Sequence, residues 1–215
     1  MKDLVILAAD KNAEFALRGL LGRPMALKIR KVDADVFVHP ERDPGCLNRG
    51  AQFLASLSKQ YRFALLVFDL SGCGREAEGA LALEQAVEAS LASAWAERSA
   101  AIVLDPELEV WVWSDSPHVD AALGWNEGAL RPWLVGQGLL ASGATKPADP
   151  KAAVEAARRK VGKPRSSAIY GEIASKVSVE RCTDRALAKF RSRLTEWFPE
   201  PADRAVGGHE DAAAE

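Results

Sequence analysis

The sequence predicts an α/β protein: an open parallel sheet of about four strands flanked by helices, with a C-terminal helical extension. Two observations carry that class. Short apolar runs of strand length alternate with amphipathic stretches of helical period over the first 105 residues, and after Gly124 the pattern changes to short helices punctuated by "KPADP" and "GKPRSS". Strands and helices alternating at this spacing form βαβ units, whose crossovers are right-handed and leave the strands parallel.

The elements follow in order. "LVILAA" (4–9) suits a strand buried on both faces, and the apolar spacing of Phe15, Leu17, Leu20 and Leu21 predicts a helix closed by Gly22 and Pro24. "ADVFVH" (34–39) is a second strand, followed by the loop "HPERDPGC" and a helix through Leu47, Phe53, Leu54 and Leu57. "FALLVFD" (63–69) is the third strand; the turn carrying Gly72 and Gly74 precedes an alanine-rich helix over about 81–97, and "AAIVLD" (100–105) is the fourth. "DPELEVWVWSD" (105–115) alternates like a strand, but Asp105 as N-cap, Pro106 at the first helical position and Glu107 at the positive end of the dipole favour a helix. Further helices are expected over about 150–161, 166–176 and 183–198. The organisation is then an α/β domain over 1–125, a basic helical extension packed on it over 126–198, and a disordered acidic tail over 199–215.

Composition narrows the function classes. With 48% hydrophobic residues in 215, the chain can bury a core of its own. No apolar run approaches the roughly 20 residues of a membrane helix, and "MKDLVILAAD" meets Asp10 and Lys11 before any cleavage-like site, so a cytoplasmic protein is expected. Cys46, Cys73 and Cys182 form no C-x-x-C pair, which argues against a disulfide framework and a cysteine zinc site. The net charge of −2 divides unevenly: residues 151–198 carry +7, the tail −4 and residues 1–150 the remaining −5. An acidic front and a basic back suggest two different jobs.

The front ends its strands on acids. Asp10 follows the first strand, Asp69 ends the third, Asp105 the fourth, and His39 and Glu41 follow the second. In an open parallel sheet, ligands bind at the carboxyl ends of the strands. Carboxylates gathered there repel one another unless a cation joins them, and hard oxygen donors suit Mg²⁺ or Mn²⁺. The competing reading is that each acid caps the next helix. Both readings are open for Asp10 and Asp69, and capping is preferred for Asp105.

Other chemistry is weakly signalled. The chain lacks a P-loop, and "SGCG" is too short for a dinucleotide fingerprint. His39 is read as a solvated or backbone-bonded loop histidine in preference to a general base or metal ligand, and Cys73 as a packed thiol. Trp111 and Trp113 could stack on bases, although core burial is the plainer reading. In the basic back, Lys163 and Arg165 flank Pro164 before Ser166 and Ser167 at the expected start of a helix. Backbone N–H groups, hydroxyls and cations meeting there make a phosphate-binding arrangement, with an ordinary serine N-cap as the alternative.

The set "LVILAADKNAEFALRGLL", "ALLVFDLSGCG" and "LDPELEVWVWSD", followed by "GKPRSSAIYGEIASKV", resembles the Toprim-like families of bacterial defence proteins, and the chain as a whole is similar to the methylation-associated defence system family. That resemblance implies a Toprim-like fold and an acid after the first strand, here Asp10. It also implies a D-x-D ending the third strand, here Asp69 with Ser71 in the second place, and an E-x-W segment that singles out Glu109, with Glu107 as the alternative. It implies Mg²⁺ or Mn²⁺ held by Asp10, Asp69 and Glu109, phosphodiester chemistry on DNA or RNA, and other defence proteins as partners. A non-catalytic interaction subunit of the same fold is the rival expectation.

Overall fold

Four parallel strands, β1 (Lys2–Ala8), β2 (Ala34–Val38), β3 (Tyr61–Asp69) and β4 (Ser99–Leu104), form one open sheet in the order β2-β1-β3-β4. The computed structural model describes residues 1–114, 116–180 and 182–201, so most of the expected tail, His209 included, lies outside the described residues. The order reverses between β1 and β3, because β1 leads outward to β2 while β3 leads outward to β4. A crevice opens at such a switch point, outside the carboxyl ends of the two central strands, and those ends carry Asp10 and Asp69.

β1, β3 and β4 are apolar runs without alternation because both faces of the sheet are covered. Leu4, Ile6, Ala8, Leu65, Val67, Ala100, Ile102 and Leu104 face one core; Val5, Leu7, Ala64, Leu66, Phe68, Ala101 and Val103 face the other. The crossover helix α1 (Lys11–Leu21), followed by the short α2 (Pro24–Leu27), packs on the first face through Leu17 and Leu20. The crossovers α3 (Arg42–Ala55) and α4 (Ala80–Trp95) pack on the second through Cys46, Leu54, Leu83, Val87, Leu91 and Trp95. One crossover cannot cover the first face over β3 and β4. The chain after β4 does so: α5 (Glu109–Val112), α6 (Pro117–Ala122), α7 (Leu130–Gly136), α8 (Pro150–Lys160), α9 (Ala168–Lys176) and α10 (Arg185–Trp197) contribute to that same core. The expected extension thus shares a hydrophobic core with the sheet.

Two packing details bear on the site. Where α1 crosses α9, a Cβ on Gly19 would lie 2.7 Å from the Gly171 carbonyl oxygen and 2.9 Å from the Ala174 Cβ, so glycine permits the close approach. The outer edge of β4 is closed by side chains: Glu84 and Glu88 of α4 accept from Val103 N–H (2.9 Å) and Ala101 N–H (3.1 Å), and Arg185 of α10 donates to the Val103 carbonyl (2.8 Å). Arg185 and Lys189 also donate to Glu84 (2.8 and 3.0 Å), so α10 clasps α4 across an edge that would otherwise invite another strand.

Element boundaries differ from expectation in two places. α3 starts at Arg42, inside the expected loop, because Pro44 falls in the first helical turn, where its missing N–H costs no hydrogen bond. The helix expected over 105–115 is reduced among the described residues to the single turn α5, whose N-cap is Leu108; Asp105 is exposed and caps no helix among the described residues. The capping reading of Asp105 is therefore corrected. Burial wins over propensity here: Leu108, Val110, Trp111, Val112 and Trp113 are all buried, which no straight one-sided helix on a surface allows.

Candidate metal centre and its cleft

Asp69 closes β3, and parity along the strand places its side chain on the α1 and α9 side of the sheet, as for Leu65 and Val67. Its Oδ1 accepts from the Leu108 N–H at 3.0 Å, which ties the segment after β4 to the tip of β3. That tie brings Glu107 and Glu109 alongside: ligand oxygens of Asp69, Glu107 and Glu109 lie within 4.8 Å of one another, and both glutamates are buried. A continuous helix would have separated the two. They converge because Glu107 precedes α5 while Glu109 begins it.

In each carboxylate one oxygen is engaged; Asp69 Oδ2 and Glu107 Oε1 take no hydrogen bond from the described residues, whereas Glu109 also accepts from its own backbone N–H. Asp69 Oδ1 holds Leu108 N–H, Glu107 Oε2 accepts from Lys151 Nζ at 2.9 Å, and Glu109 Oε1 accepts from the Tyr170 hydroxyl at 2.5 Å. A fourth acid, Asp43 in the first turn of α3, accepts from the Asp69 N–H at 2.8 Å.

The electrostatics follow from burial and crowding. Burial, followed by the charges of Asp43, Glu109, Asp10 and Glu107, pushes the Asp69 carboxyl well above the ordinary carboxylate range. Burial also raises Glu109, against the hydrogen bond from Tyr170, and raises Asp43, with Asp10 adding to it. Burial opposes the charge of Lys151, but the hydrogen bond to Glu107 and the fields of Glu109, Glu107 and Asp69 outweigh it, and its pKa is raised. The cluster is short of positive charge. Three closely spaced carboxylates with free hard oxygens could hold a metal ion.

Beside the cluster opens a cleft of about 570 Å³, reached by Glu109, Lys151 and Tyr170 and walled by Asp10, His39, Arg42, Arg165, Ser166 and Ser167, among others. Asp10 is the N-cap of α1, its Oδ1 accepting from Ala13 N–H at 2.8 Å, and it stands outside the trio within 4.8 Å. It still contributes to the cluster's field, so capping and cleft-lining coexist in one residue. Arg165 reaches the cleft while bound to Glu155 at 2.9 Å, and Ser166 Oγ accepts from the Ala168 N–H at the start of α9. Ser167 donates to Asn12 of α1 at 2.8 Å, joining the two helix starts.

Of the two cations that flank Pro164 only Arg165 lines the cleft; Lys163 does not, and a Cβ on Gly124 would meet its side chain, so the expected joint phosphate arrangement is corrected to Arg165 with the serines. The Arg158 guanidinium donates to the Lys163 carbonyl at 2.6 Å. Ser71 is exposed and lies outside the trio, its N–H donating to the Pro106 carbonyl. Glu14 is spent on Lys11 and Arg18. His39 is buried with Nδ1 accepting from the Glu41 N–H, as a backbone-bonded histidine. Trp111 and Trp113 are core residues whose indole N–H groups donate to Asp184 and to the Pro150 carbonyl, which removes them as base platforms.

Sequence reasoning missed Asp43, Lys151 and Tyr170. Asp43 had a signal, since it follows the second strand as Asp10 follows the first. Lys151 and Tyr170 arrive from the extension, and nothing in their local sequence announces the pairing.

Fold and site together define an α/β protein with an acidic cluster, able to hold a metal ion, beside the switch point of a parallel sheet. Comparison with known protein families, with curated proteins and with solved structures finds no match. Among the described residues no helix is long and apolar enough to cross a membrane.

Proposed function

We propose that the protein binds Mg²⁺ or Mn²⁺ at Asp69, Glu107 and Glu109 and uses the ion to engage phosphodiester groups of DNA or RNA, as a Toprim-like component of a bacterial anti-phage defence system. The observation that carries the reading is the trio of carboxylates within 4.8 Å, of which Glu109 lines a cleft also lined by Arg42, Arg165, Ser166 and Ser167. A metal at the trio and cations with hydroxyls in the adjoining cleft suit a phosphate that engages both. Glu107 supplies a third carboxylate where Ser71 departs from D-x-D. A bound ion would polarise a phosphoryl oxygen; the protein's own groups would position the backbone. The defence role and its partner proteins rest on the resemblance of the sequence segments.

The test is Mn²⁺ binding by the purified protein, followed by cleavage and binding assays on DNA and RNA. Asp69→Asn, which keeps an oxygen for the Leu108 N–H, is expected to weaken Mn²⁺ at least about tenfold, the equivalent of about 1.4 kcal/mol. Unchanged affinity would remove the metal site. In cells carrying the defence locus, phage should plate as efficiently on Asp69→Asn as on a deletion.

A second reading, a non-catalytic interaction subunit of a defence complex, is favoured by one observation: Lys151 already places a cation on Glu107. Full protection by Asp69→Asn, with loss of protection when surface residues away from the cleft are changed, would select it.

A further inference from the structure

Lys151 sits where its own helix gives it no support. It follows Pro150 in the first turn of α8, capped by Asp149, and that end of a helix carries partial positive charge and favours anions. What holds it is the acid cluster. Its Nζ donates to Glu107 Oε2 at 2.9 Å, and its side chain lines the cleft beside Glu109. Its field also reaches Asp43 and Asp69. Four carboxylates, Asp43, Glu109, Asp10 and Glu107, act on Asp69 here, and once ionised these acids carry more negative charge than one divalent ion balances. An ammonium brings one charge and three donors; a metal ion brings two charges and takes oxygen lone pairs. Either satisfies Glu107, and both cannot occupy the same side of its carboxylate.

We infer that Lys151 is a built-in cation that fills one cation position of the acid cluster, holding Glu107 Oε2 and leaving room for one divalent ion fewer than the carboxylates alone would take. The number of ions bound by the native protein rests on the metal reading above; the part played by Lys151 rests on its own placement. Its side chain, more than half exposed at 57%, is free to be replaced without opening the core.

The experiment counts Mn²⁺ ions per chain, by equilibrium dialysis and by electron paramagnetic resonance of free Mn²⁺, for the full-length wild type, Lys151→Gln and Lys151→Arg. Lys151→Gln is expected to bind one ion more than wild type, and Lys151→Arg the same number as wild type. Equal numbers for wild type and Lys151→Gln overturn the inference, and if wild type still binds one ion the metal reading survives alone. A wild type that binds none beside a Lys151→Gln variant that binds one does the reverse, sustaining Lys151 as the stand-in and removing native metal binding. Thermal melts give an independent reading: Mn²⁺ should raise the Tm of Lys151→Gln by more than that of wild type, and equal rises count against the inference.

Discussion

Asp69 is a carboxyl whose folded environment favours its proton, through burial first and the surrounding acids second. The direction fixes a pH dependence. A group whose folded pKa lies above its unfolded value keeps the proton in the folded state where the unfolded chain has lost it. Its contribution is therefore fully present below the unfolded aspartate value and is lost as pH rises through the folded one. In the absence of divalent ions, denaturant titrations should show stability falling from mildly acidic towards neutral pH. Asp43 and Glu109, also raised, add to the slope, while Asp3 and Glu14, both lowered, act the opposite way at more acidic pH. The difference between wild type and Asp69→Asn isolates the residue: the variant should gain on wild type as pH rises, and saturating Mn²⁺ should abolish that gain. A difference that stays flat with pH would show that Asp69 is ionised at no cost.

At the scale of elements, the cleft depends on how α9 and α10 are held. Gly19→Ala would place a methyl 2.7 Å from the Gly171 carbonyl oxygen, a backbone atom that moves only with its helix. The expected cost is about 1 to 3 kcal/mol, with α9 displaced from α1. Because α9 carries Tyr170, which holds Glu109, Mn²⁺ affinity should fall although no ligand is touched. Unchanged melting and metal binding would show that the helices adjust freely. The clasp on β4 makes a separate prediction. Arg185→Ala removes one bond to buried Glu84 and one to the Val103 carbonyl, which should cost about 2 kcal/mol and, by baring the edge, promote self-association measurable by sedimentation. Lys189 still faces Glu84, so a much larger loss is not expected.

Over the whole molecule, the basic back is mostly committed to internal work. Arg158 and Arg165 share Glu155, Lys151 binds Glu107, Arg185 and Lys189 bind Glu84, and Arg193 binds Glu196. The +7 of residues 151–198 therefore overstates what a polyanion meets. If all twelve basic side chains of that segment contacted duplex DNA, the logarithmic salt dependence of binding would have a slope of about −11. With contacts limited to the cationic side chains that line the cleft, Lys11, Arg42, Lys151, Arg158 and Arg165, a slope no steeper than about −4.5 is expected. Arg165→Ala should weaken binding and flatten the slope, whereas Lys163→Ala, outside the cleft, should leave both unchanged.

The strand and helix alternation was legible because its causes are local. The runs 4–9 and 63–69 have no other use than a sheet covered on both faces, and Pro24, which drives Arg23 before it out of the helical region, ends α1 by backbone chemistry alone. The carboxyl-end position of Asp10 and Asp69 followed from parallel topology. Sequence could not decide that residues 105–108 form neither helix nor strand, since the Asp69 to Leu108 hydrogen bond and the burial of two tryptophans are long-range terms that outweigh a good N-cap. Nor could it decide which groups gather around Asp69 and the two glutamates: Glu107, Asp43, Lys151 and Tyr170 come from four segments brought together by tertiary packing, that of α9 on α1 at Gly19 included. What the sequence by itself determined was the class of fold and the end of the sheet where acids gather, through period and chain direction. Only the tertiary structure decided the membership and charge balance of the site, because pair distances between remote residues enter no local preference.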